Sequence, residues 1–572
     1  MKNILILSLF ISCSLLNGFS QLSNRKMPKS FSKIKPVIST KVHNNKKQIL
    51  AVGDLEKLRL QDLEDDANGV PPRFGNKIEV DFNTQNSGEW IIQDNGDKIW
   101  RLEIQSEGAK SLNLIYDEFW LPDGGELHIY NTTKSHIIGA FTSKNNKGTK
   151  EKPKRFATGL VYGSSIIVEY FQPVHISSDP VISISHVIHG YRYINLDNFI
   201  SEGLEVDEDG NPSSYLTSLN TPYENHYMGR GGANPCQVNV ACEEGNEWRN
   251  EISSVALMIV NGDRWCTGTL LINSAKDNTP YFLTANHCLA DLPWTTEENR
   301  SRDAVTNPDL SDFMFYWNYQ SPTCATASDF IPSSTSGATL VANSYLTDFA
   351  LMELTENPND LDNNLEIYYS GWDIGEKVSG GVGIHHPWGD FKKISTFSHV
   401  PNVTNLRYIY VHWDATANGF GHTENGSSGS ALWNSNHRVI GQLQGSLEKT
   451  CEEIYEEGES GTYGFLANSW EIDHWHCEAF NYCFDEVEYP QRRLKDWLDP
   501  LNTGLTSFDG DYACEFTYLY PSITNDITIT NCQAKAENVI ISNNAEVSVD
   551  IEYQFIITKD FEIELGSTLD VR

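Results

Sequence analysis

Between residues 73 and 187, apolar and polar positions alternate with a period of two over short runs such as 98–104, 111–116 and 126–130. Turn chemistry separates the runs, as at Pro122-Asp123-Gly124-Gly125. Successive side chains of a strand point to opposite faces, so the pattern predicts an antiparallel β sandwich. From 236 to about 510 the chain is again rich in short apolar runs, at 255–260, 281–283, 349–354 and 408–411. Only 491–498 reads as a helix in this region. Short strands closing on a helix predict two packed β barrels. A polar stretch from 21 to 71 reads as a loose leader, and an acidic, turn-rich stretch around 200–230 as an exposed linker. The last stretch, 515–572, reads as a small separate β module.

Composition narrows the function. The chain has 572 residues, is 39% hydrophobic and carries a formal net charge of −35. Such an acidic balance disfavours nucleic acid and anionic membrane as partners. Residues 1–20 have the form of a secretory signal, with Lys2 ahead of a short apolar run and small residues before Gln21. Cys13 offers a lipoprotein signal as a lesser alternative. No stretch reaches the roughly 18 apolar residues of a membrane-spanning helix. Export implies an oxidising compartment, where cysteines pair. After the signal is removed, ten remain: Cys236, Cys242, Cys266, Cys288, Cys324, Cys451, Cys477, Cys483, Cys514 and Cys532. That number suits five disulfides, whose connectivity spacing alone does not assign. At His474-Trp475-His476-Cys477 a metal site competes with a local Cys477–Cys483 loop, and the loop is preferred for want of a second ligand pair.

Three stretches carry candidate chemistry. Gly426-Ser427-Ser428-Gly429-Ser430 sets a serine between glycines, which suits a nucleophile on a tight turn with bare amides nearby. Upstream lie Thr284-Ala285-Asn286-His287-Cys288 and Thr347-Asp348-Phe349. His, Asp, Ser in that chain order is one known arrangement of a hydrolytic triad. A serine hydroxyl needs an adjacent base, which His287 would supply, while Asp348 would fix its tautomer. The amides of Gly426 and Ser428 would hold the oxyanion. His385 and His386, before Pro387, read as a strand end rather than metal ligands. A non-catalytic binding or adhesion protein on the same scaffold is the alternative.

Together with 236–245, 316–320, 350–354, 371–373, 384–387, 441–443 and 496–500, these stretches resemble the bacterial lysyl endopeptidases from about Cys236 to Gly510. The resemblance implies a secreted, trypsin-like serine endopeptidase acting on proteins or peptides. It needs no metal or cofactor and works as a monomer. It puts the triad on His287, Asp348 and Ser428, and implies the disulfides Cys236–Cys451, Cys242–Cys324 and Cys266–Cys288. It makes 21–230 a propeptide, with Arg230-Gly231 as a maturation point. The final module resembles those used for export or surface attachment, which would engage a bacterial secretion machinery. The family's lysine-binding acid, two places before a Tyr-Gly pair, is replaced here by Gly461, and its histidine after Gln-Leu by Gln444. A glycine cannot pair with an ammonium. Glu424 and Glu459 are the nearby acids that would substitute, with His422 as a further pocket-wall candidate.

Overall fold

The computed structural model describes residues 27–31, 36–42, 46–192, 232–289, 309–325, 333–360, 367–375, 379–404, 407–447, 449–471 and 493–512, and within the C-terminal stretch 516–518, 522–536, 539–557, 561–564 and 567–571. The signal stretch, the 200–230 linker, the Arg230-Gly231 site, the histidines at 474 and 476, Cys477, Cys483 and Cys514 lie outside the described residues, as does the side chain of Cys532.

The first unit is a sandwich of two sheets. One runs Pro36–Val42, Glu89–Gln93, Lys98–Ser106, Ser165–Gln172, Glu126–Asn131, Ile137–Phe141. The other runs Val161–Tyr162, Ser111–Trp120, Val181–Gly190, Gly75–Asn83. Alternation does what the pattern predicts: Trp100, Leu102 and Ile104 of one sheet are buried against a core that includes Leu112, Leu114 and Val187 of the other. The leader departs from its expected looseness. Pro36–Val42 and Lys47–Leu50 pair with the first sheet, and Leu55–Ala67 is a helix capped by Asp54, whose side chain accepts from the Lys57 N–H at 3.1 Å. Its buried residues are Asp62 and Asp65, so no apolar stripe announces it.

The second unit has two lobes. Val255–Val260, Arg264–Leu271, Tyr281–Ala285, Phe349–Leu354, Ser333–Ser344 and Leu310–Trp317 form a closed barrel in that order. The other lobe is, among the described residues, a nine-stranded sheet. Its central run is Lys393–Phe397, Gly381–His385, Ala431–Asn434, Arg438–Ser446, Ser460–Phe465, Tyr408–His412, Asn402–Thr404. The sheet curls until Asp414 N–H reaches the Thr396 carbonyl at 2.8 Å, but no full ladder closes it among the described residues. Helices also exceed expectation. Arg249–Ser254, Cys451–Glu457 and Leu466–Trp470 precede Lys495–Leu498. Each is shorter than two full turns or so, too brief to show a helical period in the sequence. All three implied disulfides are present: Cys236–Cys451, Cys242–Cys324 and Cys266–Cys288.

Two lines of contact dock the sandwich on the closed barrel. An apolar seam joins Phe74, Ile115 and Ile188 to Leu257, Ile259 and Trp265. Phe74 stacks on Trp265 with ring centroids 5.2 Å apart, and Trp265 N–H donates to the Pro72 carbonyl at 3.0 Å. Beside the seam, Arg264 of the barrel binds Asp65 of the acidic helix at 2.7 Å.

The C-terminal module is built from parallel pairings. Ser522–Ile523, Ile540–Ile541 and Glu562–Ile563 stack in register, as do Ile527–Ala536, Glu546–Ile557 and Thr568–Val571. Ile523 pairs with Ile541 and Ile541 with Ile563, so each coil repeats the last.

Candidate functional site

Strand pairing delivers the first two candidate residues to one place. Ala285 pairs with Phe349, so the residues just beyond each strand end face one another. His287 lies in the short turn Asn286–Leu289, and Asp348 immediately precedes Phe349. Asp348 Oδ2 is 2.7 Å from His287 Nδ1, and its Oδ1 accepts the His287 backbone N–H at 3.0 Å. The Asn286 N–H donates to the Asp348 carbonyl at 2.9 Å. One aspartate thus fixes both the ring and the backbone of the histidine. Asp348 is fully buried, with φ of +57°, a conformation that costs energy for a non-glycine residue and is maintained by these bonds. The carboxylate thus engages the ring through Nδ1.

The serine turn arrives from the second lobe. Thr267 N–H donates to the Ser428 carbonyl at 2.9 Å, and Thr267 Oγ1 donates to the Gly426 carbonyl at 2.9 Å. Thr267 follows Cys266, which is bonded to Cys288, the neighbour of His287. Sγ of Cys288 lies 3.8 Å from the Ser428 carbonyl oxygen. The glycines are required. At Gly429, φ is +84° and a Cβ would fall 2.1 Å from Thr284 Oγ1; at Gly426, φ is +88° and a Cβ would fall 2.9 Å from the Trp388 nitrogen. His385 is fully buried and bridges Ser427 Oγ at 2.8 Å and Ser395 Oγ at 3.0 Å. Burial, then the nearby His422 and Lys393, holds its basicity well below that of an ordinary histidine. His386 bonds the Asp390 carbonyl at 2.9 Å.

The candidate substrate-binding residues separate into two groups. Gly461 lies on Ser460–Phe465, where a Cβ would meet the Tyr463 ring at 2.8 Å and the Trp413 ring at 3.1 Å. An acidic side chain at 461 would therefore have to displace one of these rings. Glu459, two residues earlier, is buried, and its carbonyl accepts from Trp413 N–H at 3.1 Å. Burial, with a further contribution from the Glu459 charge, raises the Tyr463 phenol above its ordinary range. Trp413 and Tyr463 are both buried there. Gln444 lies at a register shift between Leu443 and Gly445 and is half-buried. The adjacent Gln442 donates to the Thr347 carbonyl at 2.7 Å, which ties this strand to the Asp348 turn.

Glu424 and His422 form the second group. The carboxylate of Glu424 accepts from Asn234 N–H at 3.1 Å and from Gln237 Nε2 at 2.7 Å. His422 donates Nδ1–H to the Phe420 carbonyl at 3.1 Å, and its Nε2 accepts from Asn234 Nδ2 at 3.1 Å. Burial lowers its pKa to about 4, which matches this neutral ring. Thr267, Asn234, Gln237 and Gln442 were not singled out as site residues by the sequence, and His385 was read there only as part of a strand end. They are ordinary polar residues whose partners are distant along the chain, as Gly426 is from Thr267.

Residues 230–464 match the family described as lysyl endopeptidase, C-terminal domain. Solved structures with partial likeness include a serine endoprotease from Yersinia pestis, at 16% identity, covering 40% of this chain and 63% of that one, with a TM-score of 0.25. A protein of M. tuberculosis H37Rv in an inactive form shares 13% identity over 41% of this chain and 91% of that one, with a TM-score of 0.24. The first of these matches spans less than two thirds of the neighbour's own length.

Proposed function

We propose that this chain is a secreted serine endopeptidase, made as a zymogen, that cleaves peptide bonds through an acyl-enzyme. The observation that carries the reading is the doubly anchored His287–Asp348 pair, with the Ser428 turn hydrogen-bonded to Thr267, beside the Cys266 that is disulfide-bonded to Cys288. Ser428 Oγ attacks the scissile carbonyl as His287 Nε2 takes its proton. Asp348 stabilises the imidazolium and keeps Nε2 turned to the reacting atoms. The Gly426 and Ser428 amides receive the negative charge that develops on the carbonyl oxygen. His287 then protonates the leaving amine, and water repeats the sequence to free the acid. Hydrolysis of a casein-derived peptide mixture by the mature protein, lost in Ser428→Ala, tests this. Equal turnover by the variant would end it.

On specificity, the reading assigns the base of the pocket to Glu459. It is buried beside Tyr463 and Trp413, two residues before the Gly461 position. A buried acid discriminates strongly between basic and apolar side chains. Lysyl and arginyl peptides are therefore cut at least ~100-fold faster than leucyl ones, and Glu459→Gln removes most of that ratio. A ratio near one in the wild type would refute the assignment.

In this reading the N-terminal sandwich is the propeptide, and its docked seam with the barrel supports that role. Cleavage near Arg230 matures the enzyme, the first residues direct export, and the C-terminal coils serve sorting or attachment.

A further inference from the structure

We infer that Glu424 is a positioning residue, through which the segment Asn234 to Gln237 sets the shape of the serine turn. The inference rests on the peptidase reading above. Glu424 is buried and starts the turn that ends at Ser428: Ser427 N–H donates to the Glu424 carbonyl at 2.9 Å, and Glu424 N–H donates to Ser427 Oγ at 3.3 Å. A buried carboxylate must be matched by donors, or its desolvation is uncompensated. The donors here come from 190 and 187 residues away in sequence. They are the Asn234 backbone N–H, at 3.3 and 3.1 Å from the two oxygens, and Gln237 Nε2, at 2.7 Å.

The same segment holds the chain on both sides of the turn. Gln237 Nε2 also donates to the His422 carbonyl at 2.7 Å, and Asn234 Nδ2 donates to the Lys449 carbonyl at 2.8 Å. The Cys236–Cys451 disulfide and the Phe420 N–H bond to the Cys236 carbonyl, at 2.8 Å, hold it in place. On the opposite side, His385 fixes Ser427 Oγ. The turn bearing the Gly426 and Ser428 amides is therefore braced from the domain's interior by a neutral histidine and from its first residues by a carboxylate. Take away the Asn234–Gln237 donors, and the buried carboxylate loses these hydrogen bonds, which loosens the 424–428 backbone that carries it. Order in the first segment and order in the oxyanion turn become one equilibrium.

The test uses Glu424→Gln and Gln237→Leu in the full chain, each made in the active form and in a Ser428→Ala background. In the Ser428→Ala background, amide hydrogen exchange over 424–430 accelerates at least ~10-fold in both variants, while the barrel strands keep their protection. In the active form kcat falls ~10- to 100-fold with KM near the wild-type value, less than or equal to the loss of one oxyanion donor. Glu424→Asp recovers part of kcat. A raised KM at unchanged kcat would make Glu424 a substrate contact and overturn the inference, as would unchanged exchange over 424–430. A wild type that hydrolyses nothing, yet shows the exchange coupling, would sink the peptidase reading alone.

Discussion

Gly429 sits where the two lobes meet, and its missing side chain decides how closely they approach. A Cβ there would lie 2.1 Å from Thr284 Oγ1, 2.5 Å from the Thr267 carbonyl and 2.6 Å from the Ala285 nitrogen, at a φ of +84°. Two of those atoms are backbone and cannot swing aside. Gly429→Ala is thus expected to cost about 2–4 kcal/mol in stability, combining strain with overpacking, and to lower kcat. Thermal denaturation and kinetics of the same preparation check it; an unchanged melting temperature would contradict the close approach. At Asp348 the carboxylate holds two N–H groups of His287. Asp348→Asn presents an amide where an acceptor is needed and favours the wrong imidazole tautomer, so kcat should fall by ~10³–10⁴-fold with the fold intact. A loss below tenfold would remove Asp348 from the triad. Such residues were legible in the sequence because their chemistry is rare in that spacing. Asn234, Gln237 and His385 were not, because what they do depends on partners distant along the chain.

At the scale of elements, period-two alternation read the sandwich well, since the facing sides of the two sheets bury alternate residues against one another. It failed on Leu55–Ala67. That helix buries Asp62 and Asp65 rather than leucines, and a rule that follows hydrophobicity passes over it. It also could not tell a closed barrel from a curled open sheet, because closure depends on edge pairing and not on alternation. The parallel coils of the C-terminal module escaped notice for a related reason: the stacked Ile523, Ile541 and Ile563 are separated by unequal intervals. Register, which a single sequence does not specify directly, reveals the repeat.

At the scale of the whole molecule, the N-terminal sandwich and the two-lobed unit are clamped by an apolar seam and an arginine–aspartate cluster. Asp62, Asp65 and Asp66 of the acidic helix face Arg73 and Arg192 of their own unit and Arg264 of the barrel. Tyr191 donates to Asp62 at 2.5 Å. Arg192 also lies over the Trp388 ring, 5.4 Å from its centroid, and Trp388 N–H donates to the Asn425 carbonyl at 2.6 Å. The clamp therefore stands one residue away from the serine turn. Burial, only partly offset by Arg192, raises Asp66 from 3.8 to about 6. The folded pKa exceeds the unfolded one, so the contribution of Asp66 is fully present below about 3.8 and is lost as pH rises through about 6. Between those values the clamp should lose stability as pH increases. Asp66→Asn should flatten that part of the pH–melting profile of the full chain, and an unaltered slope would contradict it.

The central claim is that Ser428 is a nucleophile activated by His287. The most direct measurement is the intact mass of the mature protein after treatment with a serine-directed phosphonate, with the modified residue mapped by peptide sequencing. The account predicts one adduct, on Ser428, absent in Ser428→Ala and slowed by orders of magnitude in His287→Ala. Absence of an adduct on folded wild-type protein, or an adduct on another serine, would contradict it.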